Sequence, residues 1–191
     1  GSKLLGAYCE ENGLPIRRVG KVIVPTRAEE DPQLDVLYAQ GLANGAEIHL
    51  IDDAHLRQIE PEAHSVSGRA LHLPQVAVTD PKALVNHLAQ ELQASGVEVR
   101  LNTPCWKVDV AAAIAHTPTD KIHYGMLINT AGLYADRVAQ TFGVGKRYTM
   151  LPFKGLYYQL QATASLDIRG HLYPVPDLRF PFLGVHVTKT V

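Results

Sequence analysis

The chain has 191 residues, 46% hydrophobic and 19% charged, with a formal net charge of −1. That balance is globular, with no basic surplus for nucleic acid and no polybasic run for an anionic membrane. No stretch approaches the length of uninterrupted apolar residues that a transmembrane helix needs, and the two cysteines, Cys9 and Cys105, form neither a disulfide framework nor a metal spacing. Acidic residues come too early for a signal peptide, so a reducing, cytoplasmic compartment is expected.

In chain order, Lys3 to Glu11 patterns as a helix through Leu4, Leu5 and Tyr8 and stops at Asn12-Gly13. Ile16 to Val24 is β-branched and reads as one strand. After Pro25-Thr26, Glu29 to Ala43 is an amphipathic helix with Leu34, Leu37, Leu42 and Ala43 as core candidates. Glu47 to Ile51 is a short strand, and Asp52 or Asp53 caps a helix over Ala54 to Ile59 that Pro61 ends. Ser67 to Leu73 is a strand pattern and Pro74 to Val78 a loop. Thr79-Asp80-Pro81 opens a helix over Lys82 to Ala94, with Leu84, Val85, Leu88 and Leu92 expected inward.

Val97 to Leu101, Cys105 to Ala113 and Lys121 to Ile128 read as strands, with a polar turn at Ala115 to Thr119. The last of them leads into Asn129-Thr130-Ala131-Gly132 and a helical pattern in which Leu133, Val138, Ala139 and Phe142 share one side. A small-residue turn before a helix N-terminus lets a ligand approach the backbone, and the helix dipole favours anions there. Strands follow at Arg147 to Leu151 and Gly155 to Leu160. Leu172 to Val175 and Leu183 to Val187 form a pair joined by Pro176 to Pro181. The expected class is mixed α+β and α/β: a partial Rossmann-like layer, plus a mixed β-sheet domain with helices. Both ends read as cuts from a longer protein, and unpaired strand edges favour self-association.

There is no G-x-S-x-G, P-loop, H-E-x-x-H or G-x-G-x-x-G. Of nine histidines, His186 stands out, in a strand beside Gly184. A histidine ring titrates near neutrality and suits a base or an anion contact. Lys154, in a Pro/Gly loop, is a candidate carboxylate contact. Tyr157 and Tyr158 alternate faces, so at least one is expected in the core. Arg179 faces a ligand or water, and Trp106 is a packing residue.

Five stretches together resemble the FAD-dependent oxidoreductases of the D-amino-acid oxidase superfamily, and within it the L-2-hydroxyglutarate dehydrogenase/oxidase branch: LLGAYCEENGLPIRRVGKVIV, TDPKALVNHLAQELQASGVEVRLNT, MLINTAGLYADRVA, LPFKGLYYQL and LYPVPDLRFPFLGVHVT. They occur in the family's order. The family's opening strand and G-x-G-x-x-G turn, and its glycine-rich C-terminal segment, have no match here.

The resemblance implies a central fragment: residues 1–73 as the first part of a substrate-binding domain, 74–144 as the middle of an FAD-binding domain, and 145–191 as a return to the substrate-domain sheet. Thr130, Ala131 and Gly132 then match the turn along the FAD, and Lys107 and Val108 the strand on its adenine side. Lys154, Gly155, Tyr157, Tyr173 and His186 match the substrate side of the flavin.

The implied reaction oxidises a 2-hydroxy acid, L-2-hydroxyglutarate, to the 2-oxo acid: a base takes the hydroxyl proton while hydride passes to FAD. Its partners are that small acid and, for the whole protein, a peripheral membrane contact. His186 is the candidate base, and Lys154, Tyr157 and Tyr173 the candidate carboxylate contacts. The alternatives are an amino-acid oxidase, a glycerol-3-phosphate dehydrogenase, or a binding module without chemistry. The fragment alone is expected to retain no FAD and to be inactive.

Overall fold

The computed structural model describes residues 1–105, 107–177, 179 and 184–191. The chain divides into two compact units, residues 1–94 with 162–191, and residues 95–161. The readings of Trp106 and Leu183, and part of the Pro176 to Pro181 connection, lie outside the described residues.

Helix α1 (Ser2–Glu11) ends where Asn12 donates both its backbone N–H and its side-chain amide to the Tyr8 carbonyl. The β-branched run that follows is two strands rather than one. It turns at Val19-Gly20, with Gly20 at φ +70, between β1 (Ile16–Arg18) and β2 (Lys21–Val24). β-Branching dictates extended backbone but not a shared sheet, and one glycine in the left-handed region sends the two halves to different partners. A 3-10 turn (Ala28–Glu30) leads into α2 (Asp31–Ala43), with proline in its first turn.

Strand β3 (His49–Asp52) runs into α3 (Asp53–Ile59), where the Asp52 carboxylate caps the helix by accepting the His55 N–H at 2.9 Å. Strand β4 (Arg69–Leu73) follows, and β5 (Ala77–Thr79) occupies part of the expected loop. Asp80 caps α4 (Pro81–Ala94), accepting the N–H groups of Lys82 and Ala83 at 2.8 and 3.1 Å. In residues 95–161, β6 (Lys107–Asp109), β7 (Ile114–His116) and β8 (Lys121–His123) form an antiparallel meander, followed by α5 (Ala135–Thr141). The last strand, β9 (His171–Pro174), returns to the first unit.

The first unit is built on a sheet of order β3-β4-β2-β9, antiparallel except for the parallel β2–β9 pair. Its two faces are covered differently. Val22, Val24 and Ala70 pack with Leu56 of α3 and Ala63, while Ile23 and Leu71 face Leu34 of α2, Ile48 and Val175. Arg69, on the α2 side, pairs with Asp31 at 2.7 Å and Asp35 at 2.5 Å, fixing α2 across the sheet. Strands β1 and β5 pair separately.

Several strand-like runs carry no strand. Val97 to Leu101 is irregular, and β7 lies where a polar turn was expected. β8 ends at His123, leaving Met126 81% and Ile128 76% exposed. The expected strands between Arg147 and Leu160 are irregular too, and Tyr157 and Tyr158 are 84% and 97% exposed, so neither is core. Val85, Leu88 and Leu92 of α4 also face outward. Apolar alternation selects a face, but a strand exists only where a neighbour takes up its N–H and C=O groups. Among the described residues these segments have no such neighbour.

Candidate active site

The parallel β2–β9 register sets Lys21 beside His171 and Ile23 beside Tyr173. In-register neighbours share a face, so Lys21, Ile23, His171 and Tyr173 all lie on the α2 side of the sheet. Val187 exchanges two backbone hydrogen bonds with Leu172, at 3.0 and 2.9 Å. That bridge sets the preceding His186 against Tyr173, ring centres 4.6 Å apart. The Lys21 ammonium lies 5.1 Å from the centre of the same tyrosine ring, and His171 meets it edge-on at 6.2 Å. Lys21, His171, Tyr173 and His186 are thus one cluster around a phenol.

The two histidines are held in opposite tautomers. His186 Nδ1 lies 2.8 Å from the Gly184 carbonyl oxygen, which only accepts. Nδ1 therefore donates, and the neutral ring presents its lone pair at Nε2. His171 Nδ1 accepts the Lys189 N–H at 3.2 Å, so neutral His171 keeps its proton on Nε2. Burial lowers the pKa of His171 below the usual histidine value, and the charges of Lys21 and His186 lower it further. Burial also lowers that of Lys21. The cluster offers one basic ring nitrogen, one N–H donor, one phenol and one ammonium.

The start of β9 is held from below. Glu60, 1% exposed, accepts the N–H of Arg169 at 3.0 Å and of Gly170 at 2.7 Å. At Gly170 a Cβ would stand 2.6 Å from the Val19 carbonyl oxygen, so only glycine lets the strands approach this closely.

Of the residues expected at the site, Tyr173 and His186 come together. Lys154 and Tyr157 belong to the other unit and are exposed, with the Tyr157 ring folded back over Gly155. Lys107 and Val108 lie on β6 of that unit, the lysine exposed and the valine half-buried. Thr130, Ala131 and Gly132 form an exposed turn, with Gly132 at φ +53. Among the described residues no hydrogen bond or ion pair joins Lys107 or Val108 to that turn. A 3-10 turn (Gly132–Tyr134) precedes α5, which has only 7 residues, and the Asn129 side chain already accepts the Ala131 N–H at 3.2 Å. The turn is therefore not the fan of free donors that a helix N-terminus implied. Asp136 also turns inward on its own unit, its carboxylate accepting the Met150 N–H at 2.9 Å and the Thr149 hydroxyl at 3.2 Å. Arg179 pairs with Asp177 at 2.6 Å.

Sequence reasoning missed Lys21, His171 and Glu60. Only the last carried a local signal, a carboxylate at the unfavourable C-terminal pole of a helix, just before proline.

The family described as DAO, FAD dependent oxidoreductase, matches residues 1–191. The chain belongs to this family. It is 36% identical over 189 residues to the L-2-hydroxyglutarate dehydrogenase of Indibacter alkaliphilus, covering 95% of this chain and 46% of that protein. It is 32% identical over 203 residues to the mitochondrial L-2-hydroxyglutarate dehydrogenase of Homo sapiens, covering 98% of this chain and 43% of the relative. The chain thus spans about half the length of the curated relatives it matches. Among solved structures, an L-proline dehydrogenase from P. horikoshii shares its fold with a TM-score of 0.66 at 18% identity, over 75% of this chain and 40% of that one.

The residues present fit a flavin in one respect. Nothing lies within 4 Å of where a Cβ would stand at Gly132, so a planar group can approach the backbone at that residue.

Proposed function

We propose that this chain is the central part of a flavin-dependent oxidoreductase that oxidises a 2-hydroxy acid, L-2-hydroxyglutarate, to the 2-oxo acid. The observation that carries this reading is the His186 Nδ1–H···O=C Gly184 contact at 2.8 Å, which leaves Nε2 as a proton acceptor beside Tyr173. The relatives named for that activity support the choice of substrate. Bound FAD supplies the two-electron acceptor, and Thr130, Ala131 and Gly132, with Lys107 and Val108, would line it.

His186 Nε2 accepts the substrate hydroxyl proton, and the Gly184 carbonyl stabilises the resulting imidazolium through Nδ1–H. The Tyr173 hydroxyl orients a carboxylate. Residues 1–73 and 145–191 form the substrate side and 74–144 the cofactor side. A reducing compartment, the cytoplasm, suits two free cysteines. Among the described residues no helix is long and apolar enough to cross a membrane.

The test is His186→Ala and His186→Gln in the FAD-loaded protein that carries this chain. Loss of a general base lowers kcat by roughly 10² or more. An unchanged kcat on 2-hydroxyglutarate overturns the assignment.

A further inference from the structure

We propose that Lys21 determines specificity for a dicarboxylate, its ammonium taking the carboxylate remote from the reacting carbon while His186 serves the hydroxyl end. The proposal rests on the reading of Tyr173 and His186 given above, and it adds a residue from a strand far away in sequence.

Four observations carry it. First, the β2–β9 register and the aromatic contacts put Lys21 on the same face as both rings, 5.1 Å above Tyr173. Second, among the described residues that face carries one ammonium and no carboxylate paired with it. Lys21, His171 and His186 surround the phenol, and among the described residues no Asp or Glu pairs with Lys21. A half-buried ammonium facing only an aromatic ring and histidines has given up water without gaining a counter-ion, so an anion stabilises it. Burial alone already shifts Lys21 toward the neutral form, which a bound carboxylate reverses.

Third, the surroundings suit an aliphatic linker between two charged ends. Lys21 is flanked across β4 by Leu73, in register, and its own strand continues on this face with Ile23. Methylenes lie against Leu73 and the tyrosine ring while the ends stay polar. Fourth, the span fits. Lys21 Nζ and the His186 ring, each measured to the Tyr173 centre at 5.1 and 4.6 Å, are within about 10 Å of each other. In a five-carbon 2-hydroxy diacid the hydroxyl-bearing and remote carboxyl carbons are three C–C bonds of about 1.5 Å apart. With a C–O bond and a hydrogen bond of about 2.8 Å at each end, a bent diacid reaches across any separation up to that limit. Among the described residues no guanidinium fork and no helix N-terminus belongs to the cluster, so a planar carboxylate suits it better than a phosphate.

The experiment compares the unsubstituted FAD-loaded protein with Lys21→Met and Lys21→Arg. Calorimetry measures binding of glutarate and butyrate, which lack the hydroxyl, and so reads the anchor without turnover. The unsubstituted protein is expected to prefer glutarate. Lys21→Met is expected to weaken glutarate about 10- to 100-fold and abolish the preference, and Lys21→Arg to restore most of it. In turnover, the ratio of kcat/KM for 2-hydroxyglutarate over 2-hydroxybutyrate should fall by a similar factor in Lys21→Met, chiefly through KM.

Equal glutarate binding by Lys21→Met and the unsubstituted protein overturns the proposal, as does a protein with no preference for glutarate. If glutarate binding depends on Lys21 but no 2-hydroxy acid is oxidised, Lys21 stands and the reaction assigned to the site falls. If 2-hydroxy acids are oxidised while glutarate binding ignores Lys21, the reaction stands and Lys21 falls.

Discussion

The Glu60 carboxylate accepts the Gly170 N–H at 2.7 Å, linking the end of α3 to the residue just before β9. The same carboxylate takes the Arg169 N–H, so one buried side chain satisfies two consecutive backbone donors. Glu60→Ala leaves both without that partner, at a cost of roughly 2–5 kcal/mol in unfolding free energy. Urea denaturation of the protein measures it. Because β9 carries His171 and Tyr173, kcat/KM should fall as well. Stability equal to that of the unsubstituted protein would show that the clamp is dispensable.

Gly170→Ala attacks the same junction from the other side. The added methyl stands 2.6 Å from the Val19 carbonyl oxygen, and backbone on backbone has no rotamer by which to escape. A loss of roughly 1–3 kcal/mol is expected, as for an overpacked core. Gly68→Ala is a useful contrast, because it has open space around its Cβ and pays only for its φ of +74. A smaller loss at Gly170 than at Gly68 would contradict the strand contact.

Stability should depend on pH through His171 and His72. Both have pKa values lowered first by burial; Lys21 and His186 add to the effect at His171, and His49 at His72, where Glu47 opposes it. A histidine that is harder to protonate when folded binds more protons unfolded. Its contribution is therefore fully present above the unfolded value of about 6.5 and is lost as pH falls through the folded value. The midpoint of urea denaturation should drop on acidification below about pH 6.5. His171→Gln should flatten part of that slope, and an unchanged slope would mean that His171 protonates as easily folded as unfolded.

The polypeptide of residues 1–191 alone should not retain FAD. The Ala131 N–H is already taken by Asn129, and α5 is too short and too late to offer a phosphate site. Gel filtration after incubation with FAD, read at the flavin absorption, checks this. Yellow protein in the eluted peak would show a phosphate contact that the turn does not supply.

The same polypeptide should self-associate. Val85 and Leu92 on α4, and Leu156, Tyr157 and Tyr158 in the irregular stretch, are all exposed. Exposed apolar groups in such numbers favour association. Sedimentation velocity over a concentration series should show a rising mean coefficient, and a concentration-independent monomer would refute it.

What was legible in the sequence was local. Asp52 and Asp80-Pro81 mark helix starts because a cap and its N–H groups lie within three residues. His186 stood out by its residue type and Tyr173 through the family resemblance, and the structure adds that they touch. Lys21 was invisible because nothing near it in sequence names His171 as its neighbour; that is a property of a parallel pairing between distant strands. The runs near Ile128 and Tyr157 show the converse. Their pattern is that of a strand, but a pattern holds only half of the hydrogen bonds a strand requires.

The parallel pairing of β2 with β9 also fixes an order of events in time. Strands β2, β3 and β4 are close in sequence and can join as soon as Leu73 has been made. Their fourth neighbour arrives only after the whole intervening chain has been synthesised, and closing so long a loop is slow. Until then the nascent sheet presents an open edge that begins at Lys21 and continues through Val22, Ile23 and Val24, a template for another chain's strand. The protein is therefore most exposed to misassembly at the residues that will later form its proposed site, and a ribosome that stalls before His171 releases a chain with that edge bare.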